Sequence, residues 1–520
     1  MTRSDTIDTP AQASAAYRGR IVMLVQNGVE GDSRVQKQAE SAAAAGWEVF
    51  LLGCSPTGGP RKWTIGGAKV RLLPVEHVLD RRAHEIRPGR LRDPLAYPYG
   101  PAREYRTRRL KVRRLELRLA RARLAADADR LPAVSVRCRE AGLKLRSIGL
   151  RLNGSWTELR SRRTDRLRER RATMTSGLDR LTTRLWRLLP PGRVWRRFDP
   201  ALWELELAFG PVIDKLGPDL IHANDFQMLG VGARAAVRAR AKGRSLKLVW
   251  DVHEYLPGMG PWDPHPRWHE AQLAHEREYA PCADAVVTVS APLADLLRER
   301  HRLAATPTVI TNAPEVRGAE AESEVPSLRE RCGIGPHTPL IVYSGVAAER
   351  RGLDEIVAAL PALPGVHAAL VIRSRKIPYA LHLRDSAERL GVADRVHFLP
   401  YVPHRQVVPF LSEADVGVIP LHHHLNHEIA LITKFFEYSR ARLPIVVSDV
   451  EAMAAQVTAT GQGEVFRARD AEALAQAVKA VLADPDRYRA AYDDPERFAE
   501  WTWEAQARKL DAIYQRLLDG

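Results

Sequence analysis

Five short strings in this chain combine residue types that do chemistry on polar ligands. Asp251-Val252-His253-Glu254 sets an imidazole among carboxylates directly after the apolar run Leu246–Asp251. His222-Ala223-Asn224-Asp225 ends a second such run, Leu220–His222. Both are suited to hydrogen-bond and orient a polar substrate, although a histidine satisfied by its own backbone neighbours would look the same. Gly28, Gly31, Asp32 and Arg34 follow a third apolar run, where glycines let backbone amides come close to a ligand. Tyr343-Ser344-Gly345 is followed by Glu349-Arg350-Arg351-Gly352, guanidinium groups at a helix start that would suit a diphosphate. Lys434 and Glu437 are three residues apart and share one helix face. There a carboxylate can accept from the two neighbouring hydroxyls of a ribose, and a lysine adds charge for phosphate.

Metal chemistry is not expected. The histidines of the loop Leu421–Ala430, His422, His423, His424 and His427, lack a second ligand cluster at zinc spacing. Asp127-Ala128-Asp129 and Asp484-Pro485-Asp486 have Asp-x-Asp form, but neither follows an apolar run of strand length.

These strings need strand ends to present them. Near-continuous apolar runs predict strands at Arg20–Val25, Glu48–Leu52, Leu220–His222, Leu246–Asp251, Ala285–Val289 and Thr308–Ile310. After a proline-rich, acidic stretch at 312–337, the pattern resumes at Leu340–Tyr343, Ala369–Ile372, Val396–Phe398, Val416–Ile419, Ile445–Val447 and Glu464–Phe466. Amphipathic stretches lie between the runs, as at Leu353–Leu360, Leu381–Leu390, Ile432–Arg440 and Ala471–Leu482. Strands alternating with helices predict parallel sheets covered on both faces, with ligands beyond the carboxyl ends of the strands. The expected order is a tail at 1–17, a first domain at 18–311, a linker at 312–337, a second domain at 338–485, and closing helices at 486–520.

With 520 residues the chain exceeds one core, and 45% hydrophobic against 27% charged residues fits a soluble globular protein. The formal net charge is +16, but it is localised. Residues 81–200 hold 34 Lys and Arg against 12 Asp and Glu, which leaves 45 against 51 in the other 400 residues. This segment (80–200 at its widest) reads as an Arg-rich helical insertion in the first domain. Leu110, Val112, Leu115, Leu117, Leu119 and Leu124 within it trace no single helical stripe. A solvated arm and a patch that docks on an anionic membrane surface both fit the charge. Nucleic acid is not expected, because no aromatic-interleaved platform accompanies the basic residues. Four scattered cysteines, a polar start and no run of membrane-spanning length suggest a cytoplasmic protein, or one held at the inner face of the cell membrane.

Several strings in fixed order resemble the GT-B glycosyltransferases, specifically the family 4 group of retaining enzymes. They are Gly28…Asp32-Ser33-Arg34-Val35…Gly46-Trp47-Glu48-Val49, Asp219-Leu220-Ile221-His222-Ala223-Asn224-Asp225, Ala283–Ser290, Asp394–Pro403, Lys434-Phe435-Phe436-Glu437-Tyr438 and Leu443–Ser448. They cover about residues 18–75 and 205–520. The resemblance implies two doubly wound Rossmann-like domains facing across a cleft. It also implies transfer of a sugar from a nucleotide-sugar co-substrate to a glycan, glycolipid or lipid-linked acceptor, with retention and without a metal. Glu437 would hold the donor ribose and Arg351 the diphosphate, with Lys434, Arg350, Arg373, Gly345 and Glu428 around them. His253 would lie near the transferring sugar. Gly28, Asp32, Arg34, His222, Asn224, Asp225 and Glu254 would line the acceptor side. The chain departs from the pattern at Ile429, where a second glutamate is usual, at Val346, where an arginine is common, and at Arg442, usually a glycine. Two other readings stay open: a nucleotide-sugar epimerase of the same fold, which would reuse the donor site without an acceptor, and a non-catalytic carbohydrate-binding relative, to which the changes at Ile429 and Val346 give weight.

Overall fold

The computed structural model describes residues 18–79, 95–97, 101–168, 195–196, 199–259, 266–316 and 325–519. The tail expected at 1–17 lies outside them, as do parts of the basic segment and of the stretch read as a linker.

Two sheets organise the described residues. The first contains β1 (Arg20–Leu24), β2 (Glu48–Cys54), β3 (Arg61–Ile65), β4 (Ala68–Leu73), β5 (Leu220–Asn224), β6 (Lys247–Val252), β7 (Ala285–Thr288) and β8 (Thr308–Val309), in the order β3-β4-β2-β1-β5-β6-β7-β8. The second contains β9 (Leu340–Ser344), β10 (His367–Val371), β11 (Val396–Leu399), β12 (Val416–Ile419), β13 (Ile445–Ser448) and β14 (Gly463–Phe466), in the order β11-β10-β9-β12-β13-β14. All pairings are parallel except β3 with β4. Among the parallel strands the order reverses between β1 and β5 in the first sheet and between β9 and β12 in the second. Crevices of doubly wound sheets open at these reversals. Val22, Leu24, Ile221 and Leu248 have no exposed surface, which accounts for the apolar runs that predicted their strands.

The β3–β4 hairpin was not predicted. Its first strand, Arg61-Lys62-Trp63-Thr64-Ile65, lies at the sheet edge and is half exposed, so it never reads as an apolar run. The signal that marks it is Gly66-Gly67 between two alternating stretches; both glycines have positive φ.

The basic segment supplies two long helices, α2 (Ala102–Asp127) and α3 (Ala133–Arg168). The absence of one stripe on α2 has a physical cause. Tyr105, Val112 and Leu119 bury against the first sheet's helices, while Leu110 and Leu117 pack on Leu143 and Leu150 of α3. At 3.6 residues per turn these sets lie on opposite sides of α2. Two stripes averaged together look like none.

Part of the stretch read as a linker belongs to the second lobe. Leu328–Cys332 is a short helix capped by Ser327, with Leu328 and Cys332 buried and Arg329 paired to Asp415 at 2.9 Å. The last helix, Trp503–Asp519, packs on the first lobe through Trp503, Leu510, Ile513 and Tyr514. Trp47 Nε1 donates to Asp511 at 2.7 Å there. No helix among the described residues is long and apolar enough to cross a membrane.

Candidate functional site

At the reversal of the second sheet, β9 ends in Ser344 and turns through Gly345, whose φ is +148°. A Cβ there would come within 2.9 Å of Lys434 Cε, so the glycine makes room for the lysine. Lys434 opens helix Thr433–Arg440, is buried, and lies over the Tyr343 ring at 4.9 Å. Its ammonium has no ion pair within 4.0 Å among the described residues, and burial together with the Arg351 charge pulls its pKa down. Gly352 is also fixed by sterics: any Cβ would overlap the Pro420 carbonyl at the end of β12. That contact brings Arg351 to the same crevice, where its charge is felt by Lys434, Tyr343 and Tyr401. Arg351 likewise makes no ion pair among the described residues.

Glu437 follows Lys434 by one turn and is half-buried. Burial pushes its pKa up, and Lys434, Lys37 and His404 pull it back. It borders a cavity of about 60 Å³ lined also by Lys37, Asn312, Glu315, His404 and Thr433. Lys37 is 3% exposed, and burial lowers its pKa to about 8. Sequence reasoning missed Lys37, His404 and Tyr401. Lys37 could have been found, since it stands one helical turn after Arg34.

Arg350 and Arg373 are exposed at the rim of this crevice. Glu428 is placed differently from the expectation. One carboxylate oxygen accepts from His423 at 2.8 Å and the other from the Glu451 amide at 2.8 Å, so it caps the start of helix Glu451–Thr460. The neighbouring histidines are similarly engaged: His422 with Glu355 at 2.9 Å, and His427 with the His422 carbonyl at 2.8 Å. No group of three or more metal-ligating side chains occurs among the described residues.

On the first lobe, β5 and β6 end side by side and bring His253 between two carboxylates. Its Nδ1 is 3.5 Å from Asp225 and its Nε2 3.5 Å from Asp251. Asp225 takes φ +59°, a left-handed conformation rare for a non-glycine residue, at the turn from β5 into helix Asp225–Arg240. Glu254 is exposed beside them, and its carboxyl feels Arg351 across the cleft.

Arg34 and His222, expected at the acceptor side, lie underneath it. Arg34 makes a two-point ion pair with Asp251, at 3.0 and 2.8 Å, and also donates to the Ile310 carbonyl. His222, fully buried, reaches Asp251 at 3.3 Å and the Tyr514 hydroxyl at 2.7 Å. Asn224 is buried and donates to the Leu24 carbonyl. Asp32 caps α1 (Ser33–Ala44) through the Val35 amide and accepts from Asn27 at 2.7 Å. Gly28 stands at the start of that loop, its Cβ position in ordinary contact with Pro56. Most of these groups therefore hold the loops that present His253 and Asp225.

Burial alone would hold the His253 pKa down, but Asp225 and Asp251 outweigh it and raise the value to about 9. The ring is an imidazolium at neutral pH. Because the folded value exceeds the ordinary 6.5, its contribution to stability is complete below about pH 6.5 and is lost as pH rises through about 9. In an NMR titration the His253 ring should have its midpoint near pH 9, and Asp225→Asn should move it lower. A midpoint near 6.5 in the parent chain would show that the carboxylates do not govern it.

The lobes meet around this site. Asn426 exchanges hydrogen bonds with the Tyr255 backbone at 3.0 and 3.2 Å, Ser290 Oγ donates to the Ile429 carbonyl at 2.5 Å, and Asn312 donates to Thr433 at 3.0 Å. Ile429, which stands where the family commonly has a glutamate, is buried against the first lobe's core.

The family pattern described as Glycosyltransferase Family 4 matches residues 159–315, and that described as Glycosyl transferases group 1 matches residues 325–497. A glycogen synthase of Mycobacterium tuberculosis is 25% identical over 306 residues, 57% of this chain and 68% of that protein. A GDP-mannose-dependent alpha-(1-6)-phosphatidylinositol monomannoside mannosyltransferase of the same organism is 28% identical over 321 residues, 58% of this chain and 79% of that protein. Among solved structures, sucrose-phosphate synthase from Thermosynechococcus elongatus has a TM-score of 0.60 at 17% identity, covering 96% of this chain and 100% of that one. Anabaena HepE in complex with UDP and glucose has a TM-score of 0.54 at 13% identity, covering 96% and 100%. The two patterns fall in order on the two lobes whose facing crevices carry His253 and Arg351, and the chain belongs to the GT-B glycosyltransferases, in the family 4-like group.

Proposed function

We propose that this glycosyltransferase takes its sugar from a nucleoside-diphosphate sugar held by the second lobe and passes it to an acceptor on the first. Glu437 accepts from the ribose hydroxyls, and Arg351 and Lys434 face the diphosphate, with Arg350 and Arg373 at its rim. His253 lies beside the transferring sugar. As the bond from C1 to the pyrophosphate breaks, negative charge grows on the leaving oxygens and C1 becomes oxocarbenium-like. Fixed cations aimed at that charge are the largest contribution such a site can make. Arg351 and Lys434 supply it without a divalent ion, and transfer proceeds with retention at C1.

The observation that carries this reading is Lys434: a buried amine with no carboxylate within 4.0 Å among the described residues, at the reversal of a doubly wound sheet. An unpaired buried charge is costly unless a ligand completes it. Relatives add support. HepE was solved with UDP and glucose and with UDP-glucose, and one sequence relative is a mannosyltransferase of a phosphatidylinositol mannoside. The second points to an envelope glycan, glycolipid or lipid-linked acceptor, reached from an anionic membrane surface through the basic segment.

Thermal stabilisation by a panel of nucleoside diphosphates tests the donor site. One base should raise the midpoint, since a ligand at a hundred times its Kd stabilises by about 2.7 kcal/mol. The rise should persist in EDTA and be lost in Glu437→Ala. No response to any diphosphate would overturn the reading.

A further inference from the structure

The two long helices of the basic segment use their apolar faces unequally. α2 is covered on both sides, by the first lobe and by α3. α3 buries one face, with Leu150 packed on α2 and Thr157 and Thr164 also inside, Thr164 accepting from the Tyr97 amide at 2.7 Å. Its opposite face is bare: Leu145 is 71% exposed, Ile148 52%, Leu152 68%, Trp156 48% and Leu159 44%. These residues recur every three or four positions, and with 100° per residue they fall within an arc of about 80°. Val134, 73% exposed, continues the same line toward the helix start. Monomeric proteins rarely leave a contiguous apolar strip of this length in water.

We propose that this outer face of α3 is a membrane-docking surface that lies flat on an anionic lipid bilayer. The proposal rests on the membrane-surface reading of the basic segment and names the element that makes contact. Charge decides the occupant. Arg137, Lys144, Arg151 and Arg162 run along one edge of the strip, and the helix holds ten Arg and Lys against three Asp and Glu. A second copy pressed strip to strip would set these cations against their equivalents, with only Glu140 and Glu158 near enough along the exposed length to offset them. Anionic headgroups complement them instead. The apolar side chains enter the headgroup–acyl boundary, the long basic side chains extend to the phosphates, and Trp156 has the amphipathic ring that membrane interfaces favour.

Co-sedimentation of the full chain with phosphatidylcholine vesicles, and with vesicles also containing phosphatidylglycerol, tests this. The parent chain should bind the anionic vesicles preferentially. Leu152→Ser/Trp156→Ser should weaken that binding about tenfold or more, and Arg137→Glu/Lys144→Glu/Arg151→Glu should abolish the preference. All of these residues are exposed, so both variants should keep the parent's thermal midpoint and nucleoside-diphosphate response. Parent-like binding by the Leu152/Trp156 variant would overturn the proposal while leaving the membrane reading in place. No binding by the parent chain would overturn both. A dimer in light scattering that dissociates in the Leu152/Trp156 variant would assign the strip to a second copy and overturn the proposal too.

Discussion

Arg351→Ala is expected to lower kcat by about 10²–10³-fold, the usual consequence of removing one fixed donor from a developing anion. KM for the donor should change much less, because on the proposed donor chemistry the charge that Arg351 meets is greatest as the pyrophosphate leaves. The structure supplies three reasons to single it out. Gly352 locks its backbone under the Pro420 carbonyl, so the guanidinium is carried by a rigid turn. It has no ion pair among the described residues, so its charge is not already spent. Its influence reaches Lys434 and Tyr343 in one lobe and Glu254 in the other, which puts it between the two halves of the site. Arg351→Lys should recover part of the rate, since a point charge replaces the charge but not the planar two-point geometry. Steady-state kinetics with the donor found by thermal stabilisation checks both variants. A raised KM with unchanged kcat would make Arg351 a residue of ground-state binding alone.

How much of this could be read in the sequence depended on what fixed each residue. Strands buried on both faces, such as Val22–Leu24 in β1 and Val416–Ile419, show as apolar runs because their neighbours are uniformly apolar. That Lys434 and Glu437 share one helix face was legible for an equally local reason, since one helical turn sets it. Groups whose role comes from distant packing were not. Arg34 and His222 look like cleft residues because they follow strands, but the chain returns nearly three hundred residues after His222 to lay Tyr514 against it. Nothing local to His222 announces that. Glu428 illustrates a finer limit: one residue before Ile429, its carboxylate is engaged by the His423 ring and the amide of Glu451. On α3, the strip from Leu145 to Leu159 is periodic and was in principle readable. It was masked because α2 and α3 each carry apolar residues on two sides.

The buried assembly at the base of the first lobe yields the largest expected change in stability. Asp251 has no exposed surface, and it faces Arg34, Gln38, His222 and His253. Burial would push its carboxyl up, but Arg34 and the two histidines outweigh that and hold it well below the usual carboxylate range. A depressed carboxylate stabilises the fold above its ordinary pKa and loses that contribution as pH falls through the lowered value, so this cluster persists into acid. Asp251→Ala should destabilise the first lobe by about 3–5 kcal/mol, because the Arg34 guanidinium stays buried without its partner. A fall in the urea midpoint of the first-lobe transition is the readout, alongside a drop in the His253 pKa as one of its two carboxylates disappears. The double variant Arg34→Met/Asp251→Leu separates two meanings of the pair. If the ion pair mainly avoids an uncompensated charge, removing both partners should restore most of the stability that Asp251→Ala loses. His253 should titrate below its parent value, because one of its two carboxylates is gone while Asp225 remains beside it. Stability would then recover while the His253 pKa stays below the parent's, assigning Asp251 to the charge state of the cleft histidine rather than to the fold. If the double variant is as unstable as the single one, the pair is a structural tie between α1 and β6, and His253 merely sits against it.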